Sequence, residues 1–369
     1  MPLVATLFAD DYMLKIKKAF SASLEALLPL TAVPLALLIG AGMLLALSVN
    51  PIEAYAALVN GAVGSVSSIT QMLVKATPLL LVGLGVTIAF RGGVINIGGE
   101  GQLIVGALAA TAMALAFPTW PGIILLPLAL ISGALGGAAW GGIPGALKAR
   151  LGVNEILSTI MMNQIAFQLA NFLLRGPMID PAEIAAGTQI AQSAQLPQQV
   201  WLVRLVPRTL LHSGAILAVA LAVLVYIFLW RTTIGYRIRA VGLNPEAARY
   251  AGIRVPFYQA LSLALGGAFA GLAGAVEVLG VQHRMLEGLS GGYGFSGIVA
   301  ALFGKLHPLG AIPASILFGG LLVGADKMQR AVQVPSALIE VILGMVVLFV
   351  VSSEIWGRYR ARQRQTAQT

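Results

Sequence analysis

Long apolar runs separated by short, charge-bearing breaks constrain this chain more than any other feature. A water-facing surface needs charge, yet only 10% of the 369 residues are charged while 58% are hydrophobic. Soluble domains carry about 25% charged residues. A helix crossing the hydrocarbon core needs about 20 mainly apolar residues. Ten segments read as spans: 26–49, 72–90, 103–117, 123–147, 156–174, 213–230, 257–279, 294–304, 308–324 and 335–351. The eighth is too short to cross alone and is either a half-helix or part of a neighbour. The chain reads as an all-α polytopic membrane protein.

Basic residues orient the spans, because cytoplasmic loops carry an excess of Lys and Arg. With the N-terminus inside, one set of loops holds Lys15, Lys17, Lys18, Arg91, Lys148, Arg150, Arg231, Arg237, Arg239, Arg249, Arg254, Lys305, Arg358, Arg360, Arg362 and Arg364. The opposite set holds only Arg175, Arg204, Arg208, Arg284, Lys327 and Arg330. Both termini are therefore expected in the cytoplasm, with an even number of spans. The net charge of +9 is an orientation signal and not a nucleic-acid surface. Three regions follow: a cytoplasmic N-terminal segment 1–25, one transmembrane domain 26–353, and a basic cytoplasmic tail 354–369. The N-terminus reads as an uncleaved first span, since no small-residue cleavage site follows a short apolar core.

Several motifs carry no chemistry. The stretch 292–297 (GYGFSG) matches a dinucleotide fingerprint without the βαβ unit that fingerprint needs. The stretch 288–292 (GLSGG) matches a nucleophile elbow without its strand–turn–helix context. No GxxxxGK[ST] phosphate loop and no HExxH occurs, and there is no cysteine. No catalytic residue, metal site or cofactor is expected, and any ATP hydrolysis must come from a partner.

Glycines recur every four residues at 133, 137, 141 and 145, and again at 267 and 271. That spacing lets helix backbones approach closely in lipid, either within the chain or at a subunit interface. Two further glycine-rich stretches, 91–102 (RGGVINIGGEGQ) and 288–297 (GLSGGYGFSG), each precede an apolar run. Broken segments at corresponding positions of two halves point to a transport pathway; the alternative is a pair of tight surface turns. Asn96, Glu100 and Gln102 at the first break are candidate solute contacts, as are Asn163, Gln164 and Gln168 on the fifth span. Tyr293 and Phe295 offer aromatic faces to a base. Asn163, Gln164 and Gln168 read equally as interhelical hydrogen-bonding groups. Lys75 is expected to snorkel, and Glu277 to reach the headgroups at the end of its span.

The outer loop 175–212 is glutamine-rich and long enough to meet a binding protein. The longest cytoplasmic loop, 231–256, specifies a short helix. Asn244 is a good N-cap, Pro245 suits the first helical position, Glu246 complements the dipole, and Gly252 stops the run.

The stretch 235–253 (GYRIRAVGLNPEAARYAGI) resembles the coupling loop of ABC importer membrane subunits in the branched-chain amino acid, ribose and nucleoside permease superfamily. Three more stretches, 91–102, 153–163 (VNEILSTIMMN) and 294–310 (GFSGIVAALFGKLHPLG), resemble its simple-sugar and nucleoside branch. The resemblance covers about residues 25–352. It implies a ten-helix, type II-like fold with two pseudo-repeated halves in a bacterial plasma membrane. It also implies a second permease subunit (a copy or a paralogue), cytoplasmic ATPases, and an extracytoplasmic binding protein that delivers a nucleoside or simple sugar. In the family an aromatic often follows the asparagine corresponding to Asn163, where this chain has Gln164, which leaves the ligand open. On this reading Arg239, Asn244, Pro245, Glu246, Ala247, Ala248, Arg249 and Tyr250 meet the ATPase. The competing class is an ion-coupled secondary transporter of a small polar solute, which usually carries a mid-membrane coupling carboxylate; here the acids read as clustering at span ends.

Overall fold

The computed structural model describes residues 34–335 except 36 and 189, together with 341, 344, 345, 348 and 349. The N-terminal segment 1–25, the basic tail 354–369, the start of the first expected span and most of the tenth lie outside the described residues. The chain divides into two compact units. One comprises Leu58–Gly324 and holds everything discussed as a site below. The other collects Met1–Ala57 and Ala325–Thr369; within it Leu44 and Ala54 are fully buried, and the Tyr55 hydroxyl donates to the Leu37 carbonyl.

The elements are α1 (Leu37–Ala46), α2 (Pro51–Val63), α3 (Val66–Arg91), α4 (Gly99–Ala116), α5 (Gly122–Leu151), α6 (Glu155–Leu174), α7 (Pro181–Ala186), α8 (Gly214–Arg231), α9 (Thr233–Leu243), α10 (Pro245–Tyr250), α11 (Val255–Glu277), α12 (Tyr293–Phe303) and α13 (Pro308–Val332). Among the described residues seven helices, α3, α4, α5, α6, α8, α11 with its extension to Gln282, and α13, are long and apolar enough to cross a membrane. They coincide with expected spans two to seven and nine. The eighth is the half-length helix α12.

Helices α2 and α7 lie in expected loops, α13 runs to Val332 past its expected end at 324, and two further elements differ from expectation for a local reason. Helix α3 starts at Val66, six residues before the expected start at 72, because its polar first turns satisfy themselves. Ser65 accepts the Ser68 N–H, and the Thr70 hydroxyl bonds back to the Ser67 carbonyl at 2.9 Å. The loop 231–256 contains α9 as well as the expected α10. Thr232 caps α9 by accepting the Gly235 N–H.

Burial separates central from peripheral helices. α3 is buried around nearly its whole circumference, and α4 and α11 over most of theirs. α5, α6 and α8 bury only a narrow stripe and turn apolar side chains outward, as lipid-facing helices do. In α8 that stripe is Ala218, Ala222, Val225 and Leu229, at helical spacing.

Helix α11 packs against α5, α4 and α3 at backbone distance. A Cβ on Gly137 would lie 2.2 Å from the Gly267 carbonyl, and one on Gly106 would lie 2.2 Å from the Gly271 Cα. The glycine stripe of α5 is therefore buried within this chain against α11, not kept for a subunit interface. Without a hydrophobic force between helices in lipid, such close approach supplies the van der Waals packing that holds them together.

Gly106→Ala is expected to destabilise by about 1–3 kcal/mol through overpacking against backbone that cannot yield. Gly142→Ala, whose Cβ would meet nothing nearer than Ala264 Cβ at 3.8 Å, should be neutral. Thermal unfolding of both variants in detergent checks this; equal melting temperatures contradict it.

His212, in the segment between α7 and α8, is buried beside His283, whose ring stacks on Trp201 with centroids 3.8 Å apart. Burial, and secondarily the charge of His283, push the His212 pKa down to about 4. Between that value and the ordinary 6.5 the unfolded chain binds a proton that the folded one does not. Stability is thus intact above pH 6.5 and falls as pH drops toward 4, by about 1.4 kcal/mol per unit from this residue. Melting temperatures from pH 7 to 4.5 should fall less steeply in His212→Gln than in the wild type.

Candidate functional site

The two glycine-rich breaks meet. Segment 92–98 leaves the end of α3 with Gly93 at φ +73° and enters α4 at Gly99. Segment 283–292 leaves the π-helical end of α11 through His283, passes three left-handed glycines (Gly288, Gly291, Gly292) and enters α12 at Tyr293. A Cβ on Gly294 would sit 2.2 Å from the Glu100 nitrogen. The first turns of α4 and α12 therefore touch backbone to backbone, and their N-terminal dipoles converge on one spot.

Glu100 stands at that spot. It is buried, its Oε1 accepts the Gly294 N–H at 3.1 Å, and the Ser290 side chain lies close to the carboxyl group. Its Oε2 makes no hydrogen bond of normal geometry.

The polar residues around the first break bind the chain to itself. The Asn96 and Gln102 amides exchange hydrogen bonds at 3.0 and 3.1 Å, and Asn96 Oδ1 also accepts the Gly98 N–H. Asn163 Oδ1 accepts the Gly101 N–H at 2.8 Å, while its Nδ2 donates to the Ile97 carbonyl at 3.0 Å. One turn earlier on α6, the Thr159 hydroxyl accepts the Ile97 N–H; one turn before that, Glu155 accepts the Ile95 N–H and pairs with Lys148 at 2.6 Å. Residues 155, 159 and 163 thus form a ladder on one face of α6 that satisfies the broken segment. Gln164 and Gln168 are exposed, away from that ladder.

Lys75 and Glu277 also depart from expectation, and the two aromatics of the second break differ in exposure. Tyr293 is buried with the Lys75 ammonium 5.3 Å from its ring centroid, whereas Phe295 is half-exposed. Lys75 is drawn inward toward that ring and toward Glu277, not out to headgroups. Glu277 is only 4% exposed, so it stays inside the bundle near Lys75 and Gln282. Glu100, second in α4, and Glu277, last in α11, lie at helix ends, and tertiary packing buries both.

The expected ATPase-contact residues divide into two groups. Asn244 caps α10, accepting the Glu246 and Ala247 N–H groups at 3.0 Å, and Pro245 occupies its first position. Ala248 is buried at 4% exposure, and Arg239 turns inward, its Nε donating to the Leu229 carbonyl at 2.9 Å. Glu246, Ala247, Arg249 and Tyr250 are exposed, Tyr250 at 95%. Leu243, 84% exposed at the end of α9, joins them; nothing in the sequence separated it from a core leucine.

Behind this knob, the Trp230 ring carries the Arg91 and Arg239 guanidiniums, each 5.4 Å from its centroid, with the His307 ring at 5.0 Å. Arg91 Nε also donates to the Leu306 carbonyl. A Cβ on Gly242 would lie 2.1 Å from the Arg91 carbonyl. The end of α9 therefore rests directly on the start of the broken segment.

A membrane bundle whose broken helices meet N-terminus to N-terminus around a buried carboxylate has the architecture of a solute transporter. Residues 68–351 match the family described as branched-chain amino acid transport system / permease component, and the chain belongs to it. It is similar to the guanosine ABC transporter permease NupP of Bacillus subtilis, at 40% identity over 89% of this chain and 93% of that one. It is 37% identical to the glucose ABC transporter permease TsgB13 of Haloferax volcanii, over 90% and 88% of the two chains. It is 34% identical to the nucleoside ABC transporter permease NupB of Lactococcus lactis, over 88% and 90%. The chain is a membrane-spanning permease subunit of an ABC transporter.

Asn163→Leu strands the Gly101 N–H and the Ile97 carbonyl in an apolar setting, at about 1–3 kcal/mol for each orphaned group. It should lower the melting temperature and abolish uptake. Gln168→Leu, on the exposed face, should leave stability unchanged. Parallel melting curves decide, and equal stability of the two variants contradicts the ladder.

Proposed function

We propose that this permease imports a nucleoside or simple sugar delivered by an extracytoplasmic binding protein. It pairs with a second permease subunit and docks on cytoplasmic ATPases through the α9–α10 knob. On this reading it crosses a bacterial plasma membrane ten times, with both termini in the cytoplasm. The solute class rests on the names of the relatives.

The docking assignment is carried by one observation: a helical pair that turns Leu243, Glu246, Arg249 and Tyr250 outward while its inner face is anchored to the first break. A small, partly apolar knob of this kind fits a groove on a partner. Motion forced on it by ATP hydrolysis reaches segment 92–98 through Gly242 and Arg91, and thence the junction at Glu100. Of the expected contacts, Glu246, Ala247, Arg249 and Tyr250 form the contact surface; Asn244, Pro245, Ala248 and Arg239 shape and hold it.

Tyr250→Asp and Leu243→Asp change only exposed side chains. Both should insert and melt normally yet lose at least tenfold in ATPase co-purification and in uptake. Undiminished co-purification overturns the docking assignment, and uptake by the chain alone under an ion gradient overturns ATP-driven import.

A further inference from the structure

Where the loop 231–256 meets α11, a cavity of about 360 Å³ opens to the surface, lined by Arg237, Arg254, Phe257, Tyr258 and the turn 251–253. No acid contributes to its wall. Both arginines are exposed, and among the described residues neither pairs with a carboxylate. Arg237 is held in place, because its Nη1 donates at 2.9 Å to the hydroxyl of Tyr258, a residue only 7% exposed. The Tyr258 ring is set edge-on against Phe257, with centroids 5.3 Å apart. Arg254 adds a second guanidinium to the same wall.

Two guanidiniums without an acid select an anion, and their planar forks match the oxygens of a phosphate. The position in the fold narrows the choice. Arg254 immediately precedes α11, whose run Val255–Gln282 is long and apolar enough to cross a membrane, so its charge lies at headgroup level. One turn further into the span Phe257 follows on the same side of the helix, 58% exposed. A basic end above an exposed apolar ring matches a phospholipid, phosphate above and acyl chain below. Inorganic phosphate would use the guanidiniums and leave Phe257 bare. A zwitterionic lipid would bring a second cation against two positive charges with no carboxylate to meet it, whereas basic pockets beside membrane helices take anionic headgroups.

We propose that this cavity seats the headgroup of an anionic phospholipid from the leaflet on the side of the α9–α10 knob. The phosphate bridges Arg237 and Arg254, and the glycerol and upper chain lie along Phe257. A lipid held there braces the turn 251–253, where the knob passes into α11, against the bilayer. This holds whatever solute the chain carries.

The test uses the full chain, co-expressed with its partner subunits, purified in detergent and incubated with phosphatidylglycerol and phosphatidylcholine in equal parts. Native mass spectrometry reads the lipid retained. Wild type should keep phosphatidylglycerol at least fivefold over phosphatidylcholine, and Arg237→Gln/Arg254→Gln should lose at least tenfold of it. Arg204→Gln/Arg208→Gln, which removes two exposed arginines elsewhere, should retain lipid as wild type does. A photoactivatable phosphatidylglycerol should label residues 251–258 of wild type, a readout that needs no variant to fold. Phosphatidylglycerol should raise the wild-type melting temperature where inorganic phosphate does not.

Retention by Arg237→Gln/Arg254→Gln within twofold of wild type overturns the proposal, as does labelling that misses residues 251–258. Equal protection by inorganic phosphate assigns the cavity to a free anion and overturns the lipid. Loss of ATPase co-purification by the same variant with undiminished lipid retention assigns it to an acidic segment of a partner, which overturns the lipid as well.

Discussion

Backbone that leaves a helix inside a membrane must find hydrogen-bond partners within the protein, because lipid offers none. Segment 92–98 meets that demand through α6, whose Glu155, Thr159 and Asn163 present three consecutive turns of polar groups to residues 95–101. The first break depends on this ladder. With the segment held, α4 can begin at Gly99 with its N-terminus against that of α12, and Glu100 can serve both helices at once. The second break depends on the first, since Gly294 packs on the Glu100 backbone.

Close helix approach is the second condition. A helix of eleven residues, α12, is about half the length that crosses a bilayer, so it persists only when its neighbours enclose it. Gly297 admits Val82 of α3 at a distance that any side chain would block, and Gly85 meets the Gly266 carbonyl in the same manner. The glycine stripes of α5 and α11 extend this logic through the bundle. Small residues here set distances between helix axes, and those distances position the junction.

The same close packing links the α9–α10 knob to the junction. Gly242 lies on the Arg91 carbonyl, Arg91 and Arg239 share Trp230, and Arg91 holds the turn after α12 through Leu306. Both the start of the first break and the end of the half-helix are thereby attached to one cluster. A displacement of α9 must act on both.

The sequence by itself determined the membrane class, most helix positions, the α10 cap at Asn244 and the existence of two breaks. Each of these follows from local rules: apolar length, capping chemistry and glycine conformational freedom. It also singled out Asn96, Glu100, Gln102 and Asn163, since intramembrane polar residues are rare. Only the tertiary structure decided their roles. Whether an amide is spent on the chain or left for a ligand depends on which backbone groups another helix brings within about 3 Å, and spacing along one helix holds no such information. For that reason Asn163 proved to be a clamp, Lys75 and Glu277 turned inward, and Ala248 and Arg239 faced the protein.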